Sequence, residues 1–553
     1  MSNFVYGAVP KIKYSRSKHD LSHSYSTTFN LGDIVPMDIP IEVYPGDTFI
    51  DKTAHVIRTA TPFIRNPFGN LFLDFYYFFV PNRLVDDRWV EIMGENTKGA
   101  WANLENLSIP HTGLKSGTDV PIGSLADRFG IHGKLCLSDD AGDSEYVSVP
   151  VYPFRAYALI YNYFFRDQNN IVPINVNLSN TINRTTESIS SAAFDVNSYC
   201  GMPAKASRFH DYFSSALPAP QKGEAVDVFA SAFPVLTKNS TINSTNAQPL
   251  RWKTSSDVQI VSGSLGISTD GRTKSKSDSS FTSSLNDAIP ANLWADPSGF
   301  SINDLRNAFA IQKMLEIDAI FGSRYSESIT AFFGVENPDA RLQRPEMLNG
   351  KRFPINIVQS VNTTYADVNG NQIETGQVAG NAQSSGVCGY SKSFTEHGFV
   401  YCLGVARQHH SYNQGIPSWA LRRKRTDMYY PIFSHLGNQP IYTKEIFANI
   451  NNGNDIFGYK DYGDELRKIP SVITGKLLKD AQEGLDVWTF QDYYENAPVI
   501  SKAFLEETPA FIDNALSAPS SLIDNFIIDV YHKIDAIRVM PVYGTPGRID
   551  HLQ

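Results

Sequence analysis

Nowhere does the chain hold the roughly 18–20 consecutive apolar residues that a membrane-crossing helix needs, so no membrane span is expected. Cysteine is scarce: Cys136, Cys200, Cys388 and Cys402 lie far apart, with no CxxC pair. A disulfide framework would be denser and a zinc site more tightly spaced, so the four read as reduced, buried thiols of a protein folded in cytosol, with no metal. From Met1 to Lys18 no apolar segment precedes the basic residues, and no secretory signal is expected. Phosphate-binding and nucleophile patterns are missing too: there is no GxxxxGKS/T, no GxGxxG and no GxSxG. No fixed period recurs, which excludes solenoids and propellers. The search leaves no catalytic residue, no metal ligand set and no cofactor to assign.

What is present is aromatic and turn-forming. Phe 34, Tyr 27, Gly 37 and Pro 31 stand against only 19% charged residues, a balance that favours strands and turns over helical bundles. The richest stretch runs from Asn70 to Glu95. Leu71 through Val80 is almost wholly apolar, with Asp74 its single charge. Too short to cross a bilayer, it reads as a strand with protein on both faces, ended near Pro81. Such a strand requires a large layered β structure around it.

Other segments follow the same logic. Ile34–Phe49 reads as extended edge segments with a Pro45-Gly46 turn, and Ala54–Ile64 as a further strand. Pro153–Asp167 is an aromatic helix, and Ser301–Ala319 is the clearest helix, with Ser301 and Asp304 at capping-box spacing. Asn356–Asn371, with Asn369-Gly370 as a hairpin turn, Gly398–His410 and Asn525–Met540 return to strand patterns. Between Thr237 and Asn286 the composition turns to Ser, Thr, Asn and Gly, with one strand-like island at VQIVSGSLGIST; this is an excursion that projects or moves. His409 and His410, adjacent on a strand, would point to opposite faces and cannot easily share one ion.

The net charge of −9 argues against bulk attraction to nucleic acid, but an average says nothing about one face. Two basic segments are the candidates for phosphate contact: Lys11, Lys13, Arg16 and Lys18 in the N-terminal arm, and Arg422, Arg423, Lys424 and Arg425. For the arm a solvated tail is the plainer reading, whereas four cations together in a chain of net negative charge favour a phosphate or acidic-partner contact over a solvated loop at 422–425.

A set of segments then resembles, in order, the major capsid protein of the small single-stranded DNA phages (Microviridae), in particular the gokushovirus branch. They are EVYPGDTF (Glu42–Phe49), DFYYFFVPNRLV (Asp74–Val85), the MGE at Met93–Glu95, YNYFFRDQN (Tyr161–Asn169), HDYFSSALPAPQKG (His210–Gly223), LRNAFAIQKMLE (Leu305–Glu316), FGVENPDARLQRPEML (Phe333–Leu348), TEHGFV (Thr395–Val400), FGYKD (Phe457–Asp461) and PVYGTPGRIDH (Pro541–His551). Arg548 stands where the family tends to be apolar, as in a divergent member. The resemblance implies a mainly β fold: an eight-stranded antiparallel jelly roll of the viral capsid type with large loop and helical insertions. It implies four parts: a basic arm over 1–40, the first part of the jelly roll over 41–223, a projecting spike over 224–300, and the remainder over 301–553. The implied function is that of a non-enzymatic capsid subunit that self-assembles into a T=1 icosahedral shell around single-stranded DNA and contributes to host attachment. The implied partners are further copies of itself, pentameric precursors included, the genome, a small basic DNA-condensing protein, a pilot protein, an internal scaffolding protein and a host cell-surface receptor. The implied place is the virion capsid, assembled in the bacterial host cytoplasm. The competing reading is a carbohydrate-active enzyme or lectin-like binding protein on the same scaffold, marked by paired carboxylates in an aromatic cleft.

Overall fold

The computed structural model describes residues 15–94, 109–115, 120–131, 146–176, 178, 194, 200–224, 235–237, 252–253, 259–260, 264–267, 273–277, 280–284, 289–290, 293–295, 302–321, 325–336, 338–339, 341, 343–361, 366–368, 371–373, 378–449 and 455–543. The strands of its large sheet are β1 (Ser17–Asp20), β2 (His23–Phe29), β3 (Val35–Pro36), β4 (Ile41–Val43), β5 (Thr48–Thr59), β6 (Leu71–Pro81), β7 (Glu346–Val361), β8 (Val378–Cys388), β9 (Ser391–Ser393), β10 (Gly398–Gln408) and, after the separate hairpin β11 (Asn438–Tyr442) and β12 (Ile456–Asp461), β13 (Phe526–Arg538).

Among the described residues, eight strands lie along one hydrogen-bonded path, β1-β13-β5-β8-β7-β6-β10-β3, and β2, β9 and β4 pair off it. Every pairing is antiparallel. The path folds over on itself at β7. Residues 346–355 of that strand pair with β6, whereas Asn356–Val361 pair with β8. Two layers therefore face each other, β13-β5-β8 on one side and β6-β10 on the other. Side chains meet across the gap: the His55 ring of β5 lies 4.7 Å from Phe75 of β6, and the Tyr77 hydroxyl of β6 lies 3.2 Å from Cys388 Sγ of β8. One apolar core holds Phe49 and Ile57 with Ile528 and Val530 from the first layer and Leu73, Phe75 and Tyr77 with Cys402 and Ala406 from the second. The fold is mainly β and of the jelly-roll kind.

The apolar run of β6 has the double cover its composition calls for. Its odd-numbered side chains enter the shared core, while Phe78 and Val80 join a second core with Tyr401, Leu403 and Val405 of β10. That second core is closed by helix α1 (Tyr152–Ile160) and the π-helical turn Tyr161–Phe165 that continues it. Pro153 in the first turn of α1 needs no hydrogen-bond partner for its nitrogen. Tyr157 is buried and satisfied, donating to the Ile34 carbonyl at 2.6 Å and accepting from the Ala204 amide at 3.0 Å. Cys200, Cys388 and Cys402 are buried; Cys136 lies outside the described residues.

Residues 221–317 form a compact unit of their own. The strand-like island VQIVSGSLGIST holds two strands, Gln259–Ile260 and Ser264–Ile267, and they belong to a set of eight short strands in three small sheets among the described residues of this unit, with Ser264–Ile267, Thr273–Ser277 and Ser280–Ser284 side by side. Hydroxyl-rich strands form because backbone hydrogen bonds need no apolar side chain, and alternation is invisible when both faces are polar. The expected long helix is α2 (Ile302–Phe321); its expected cap, Ser301, lies outside the described residues. Val368 pairs with Asn371, a register that suits a hairpin, with Asn369-Gly370 themselves outside the description.

Candidate assembly and nucleic-acid surfaces

An apolar groove opens on the lobe that carries the β11–β12 hairpin. Its floor is Tyr212, whose hydroxyl donates to Glu445 at 3.1 Å, with Phe213 and Tyr412, which share one carboxylate. Asp211 Oδ1 accepts the backbone N–H groups of Phe213 (2.9 Å) and Ser214 (2.7 Å), and its Oδ2 accepts the Tyr412 hydroxyl at 2.6 Å. This local turn is what an Asp followed by an aromatic pair favours. The walls come from residues 415–419 and 466–472, where Pro417 and Pro470 hold the chain extended, and they enclose about 450 Å³. Several wall side chains meet solvent: Trp419 is 71% exposed and Ile469 86%. Leu466 and Val472 are exposed beside them. Charged side chains, Arg422, Glu445, Glu465 and Lys468, line the same groove beside these apolar ones.

The basic candidates do not form one site. Lys11 and Lys13 lie outside the described residues. Arg16 is exposed, and residues 17–29 are strands β1 and β2, laid along β13. Lys18 stands on β1 and is 3.0 Å from the Asp535 carboxylate. On the β11–β12 lobe, Arg422 meets Glu465 at 3.1 Å. Arg423, Lys424 and Arg425 are exposed; Asp427 accepts the backbone N–H groups of Arg423 and Lys424, which holds its carboxyl below the usual range. Arg425 lies against Tyr430, its guanidinium 5.9 Å from the ring centre. Of the six cations among the described residues, Lys18 and Arg422 are thus already partly neutralised.

The two histidines go separate ways. His409 packs on the rings of Phe72 and Phe209, 5.1 Å from each, and burial followed by the Arg352 charge lowers its pKa. His410 is buried, with Nδ1 2.8 Å from Asp492 and Nε2 3.1 Å from Glu507. Burial alone would lower its pKa, but the two carboxylates outweigh that and hold it at about 9 against the neighbouring Arg208 charge. Arg208 in turn meets Asp492 at 2.8 Å. This knot ties the end of β10 to residues 492–507. Both histidines lie just past the end of β10 at Gln408, and the carboxylates that hold His410 are more than 80 residues further along the chain.

A third cluster joins β2 to the sheet. His23 Nε2 is 2.5 Å from buried Asp38 and its ring stacks on His532 at 5.4 Å, while the His532 ring shares Thr53 with Asp51. The hydrogen bond to Asp38 raises His23 to about 9. Among the described residues no group of His, Cys, Asp and Glu is arranged to hold a metal ion, and no helix is long and apolar enough to cross a membrane.

Known proteins match this chain over nearly all of its length. The family model described as capsid protein (F protein) covers residues 7–548. Capsid protein VP1 of Spiroplasma virus 4 is 34% identical over 544 residues, 96% of this chain and 95% of that protein. The proteins of the same name from Bdellovibrio phage phiMH2K and Chlamydia phage 1 are 33% and 31% identical, each over 98% of this chain and 97% of its own length. With the match spanning sheet, lobes and excursion alike, the chain belongs to the capsid protein (F protein) family.

Proposed function

We propose that copies of this chain close into an icosahedral shell of the T=1 kind around a single-stranded DNA genome. The role is structural and its chemistry is association. The observation that carries the reading is the uncovered apolar surface around Trp419 and Ile469 in a chain matched over residues 7–548 by a capsid family. Removing such side chains from water at many modest, symmetry-repeated contacts holds a shell together.

In this reading Lys11, Lys13, Arg16, Lys18 and Arg422–Arg425 face the genome. Residues 224–300 project as a spike and meet a host cell-surface receptor, a task suited to a polar excursion that leaves the core untouched. An internal scaffolding protein guides assembly of pentameric precursors in the bacterial cytoplasm, and a small basic DNA-condensing protein and a pilot protein complete the particle. The test is sedimentation and electron microscopy of the purified chain, alone and with scaffold, across protein concentration and salt. Shells or pentamers are expected; persistent monomers contradict the reading.

A further inference from the structure

On the side of β6 away from the shared core, three strands set out a charged row. Arg352 of β7 is directly across from Asp74 in the antiparallel register, and Arg407 of β10 is across from Phe72, one step along the same face. Arg352 donates to Asp74 from Nε at 2.6 Å and from Nη2 at 3.0 Å. Arg407 Nη2 donates to the same carboxylate at 2.7 Å and to the Tyr76 hydroxyl at 2.7 Å. One carboxylate thus serves two guanidinium groups and leaves a net positive charge on the row. Both cations lie against Phe209, whose ring centre is 4.3 Å from Arg352 and 4.8 Å from Arg407.

Two details set this apart from a closed structural ion triad. The Arg407 Nε is buried without a hydrogen-bond partner, and the Arg352 side chain is 47% exposed. Beside them is a cavity of about 350 Å³, walled by Tyr76, Phe78, Phe164 and Phe165, with Arg166, Asp167 and His210 at its edge. Aromatic walls next to an excess of guanidinium charge suit a ligand with a flat π-face at one end and an anion at the other. The planar fork of an arginine matches phosphate oxygens, and a base stacks on aromatic rings whatever its identity. A duplex keeps its bases paired and stacked, so only an unpaired nucleotide presents both ends at once.

We propose that this cavity binds one nucleotide of single-stranded DNA, its base among the rings of Tyr76, Phe164 and Phe165 and its phosphate on Arg352 and Arg407. The proposal rests on the shell reading above, because the polynucleotide is the enclosed genome. All parts of the site except the Phe209 loop and the 164–165 turn stand on sheet strands, which holds the cations in place before the ligand arrives.

The test uses the full chain and a short fluorescent oligothymidylate, read by anisotropy and by ultraviolet crosslinking with peptide mapping. Crosslinks are expected in residues 164–165 or 207–210. Arg352→Lys, which keeps the charge beside Asp74, and Phe164→Leu, which keeps an apolar filler, are each expected to weaken binding about tenfold. Thermal melting of both variants checks that the fold is retained. Unchanged affinity in both, with crosslinks confined to other segments, overturns the proposal. So does an oligoglutamate that binds more tightly with the same dependence on Arg352, or free thymidine monophosphate that binds as well as the oligomer. Shells that form from wild-type protein while this site stays silent sink the nucleotide site alone; wild-type protein that never assembles sinks the shell reading.

Discussion

The two facing layers of the sheet solve burial differently. In β5 the side chains alternate strictly, Phe49 and Ile57 inward and Ile50 and Val56 outward, and β13 does the same with Ile528 and Val530 inward and Ile527 and Tyr531 outward. In β6 and β10 nearly every residue is buried, because α1 and the turn after it cover the outer face. One layer is the interior of the subunit. The other is a wall whose outer face, with half-exposed Ile50, Val56, Ile527 and Tyr531, is free for something else to cover. Apolar content alone does not separate them; the spacing of it does.

That contrast can be broken most sharply by truncation. Phe75→Ala in β6 is expected to cost about 3–5 kcal/mol, or to leave no soluble protein, whereas Val56→Ala on the outer face of β5 should stay within about 0.5 kcal/mol. Denaturant unfolding of the unassembled subunit reads both, and equal losses would erase the distinction between the layers.

The buried charge clusters sharpen it next. His410 is held at about 9, above its ordinary 6.5. Its contribution is therefore whole below about pH 6.5 and is lost as pH rises through about 9. His23 is also held at about 9 and has the same sign, but it is half-buried and more screened. His410→Gln should flatten the fall in unfolding midpoint between pH 6.5 and 9 more than His23→Gln does. The opposite order would show that the β2 attachment, not the β10 knot, governs alkaline sensitivity.

A smaller effect concerns the basic segments. Removing Arg423, Lys424 and Arg425 together should reduce the salt slope of single-stranded DNA binding by about 2, at roughly 0.7 per phosphate contact. Lys18→Ala and Arg422→Ala should change it less, since Asp535 and Glu465 already hold those cations. An unchanged slope in the triple variant rejects the segment as a DNA contact.

Much of the layered fold is legible in the residues because burial leaves a period. The continuous run Leu71–Val80 and the helical recurrence after Pro153 each point to their neighbours' chemistry without naming the neighbours. Partner identity is what the chain order hides. Asp74 stands out as the lone charge of its strand, yet Arg352 and Arg407 are 278 and 333 residues away. The same holds for β2, whose Ser26 bonds Asp529 across 503 residues. The excursion is only partly legible: Leu265 and Ile267 alternate in Ser264–Ile267, whereas Thr273–Ser277 and Ser280–Ser284 carry no hydrophobic alternation. The candidate DNA contacts are legible as a residue type, but their neutralisation by Asp535 and Glu465 is set by the fold alone. The groove around Trp419 leaves no mark in the chain order, because its walls, residues 415–419 and 466–472, meet only in space.

The most direct test is hydroxyl-radical footprinting of the same protein before and after assembly. Trp419 and Ile469 should be labelled strongly in the free subunit and shielded in the particle, while Phe75 and Phe78 stay dark in both. Equal labelling of Trp419 and Ile469 in free and assembled protein would contradict the account.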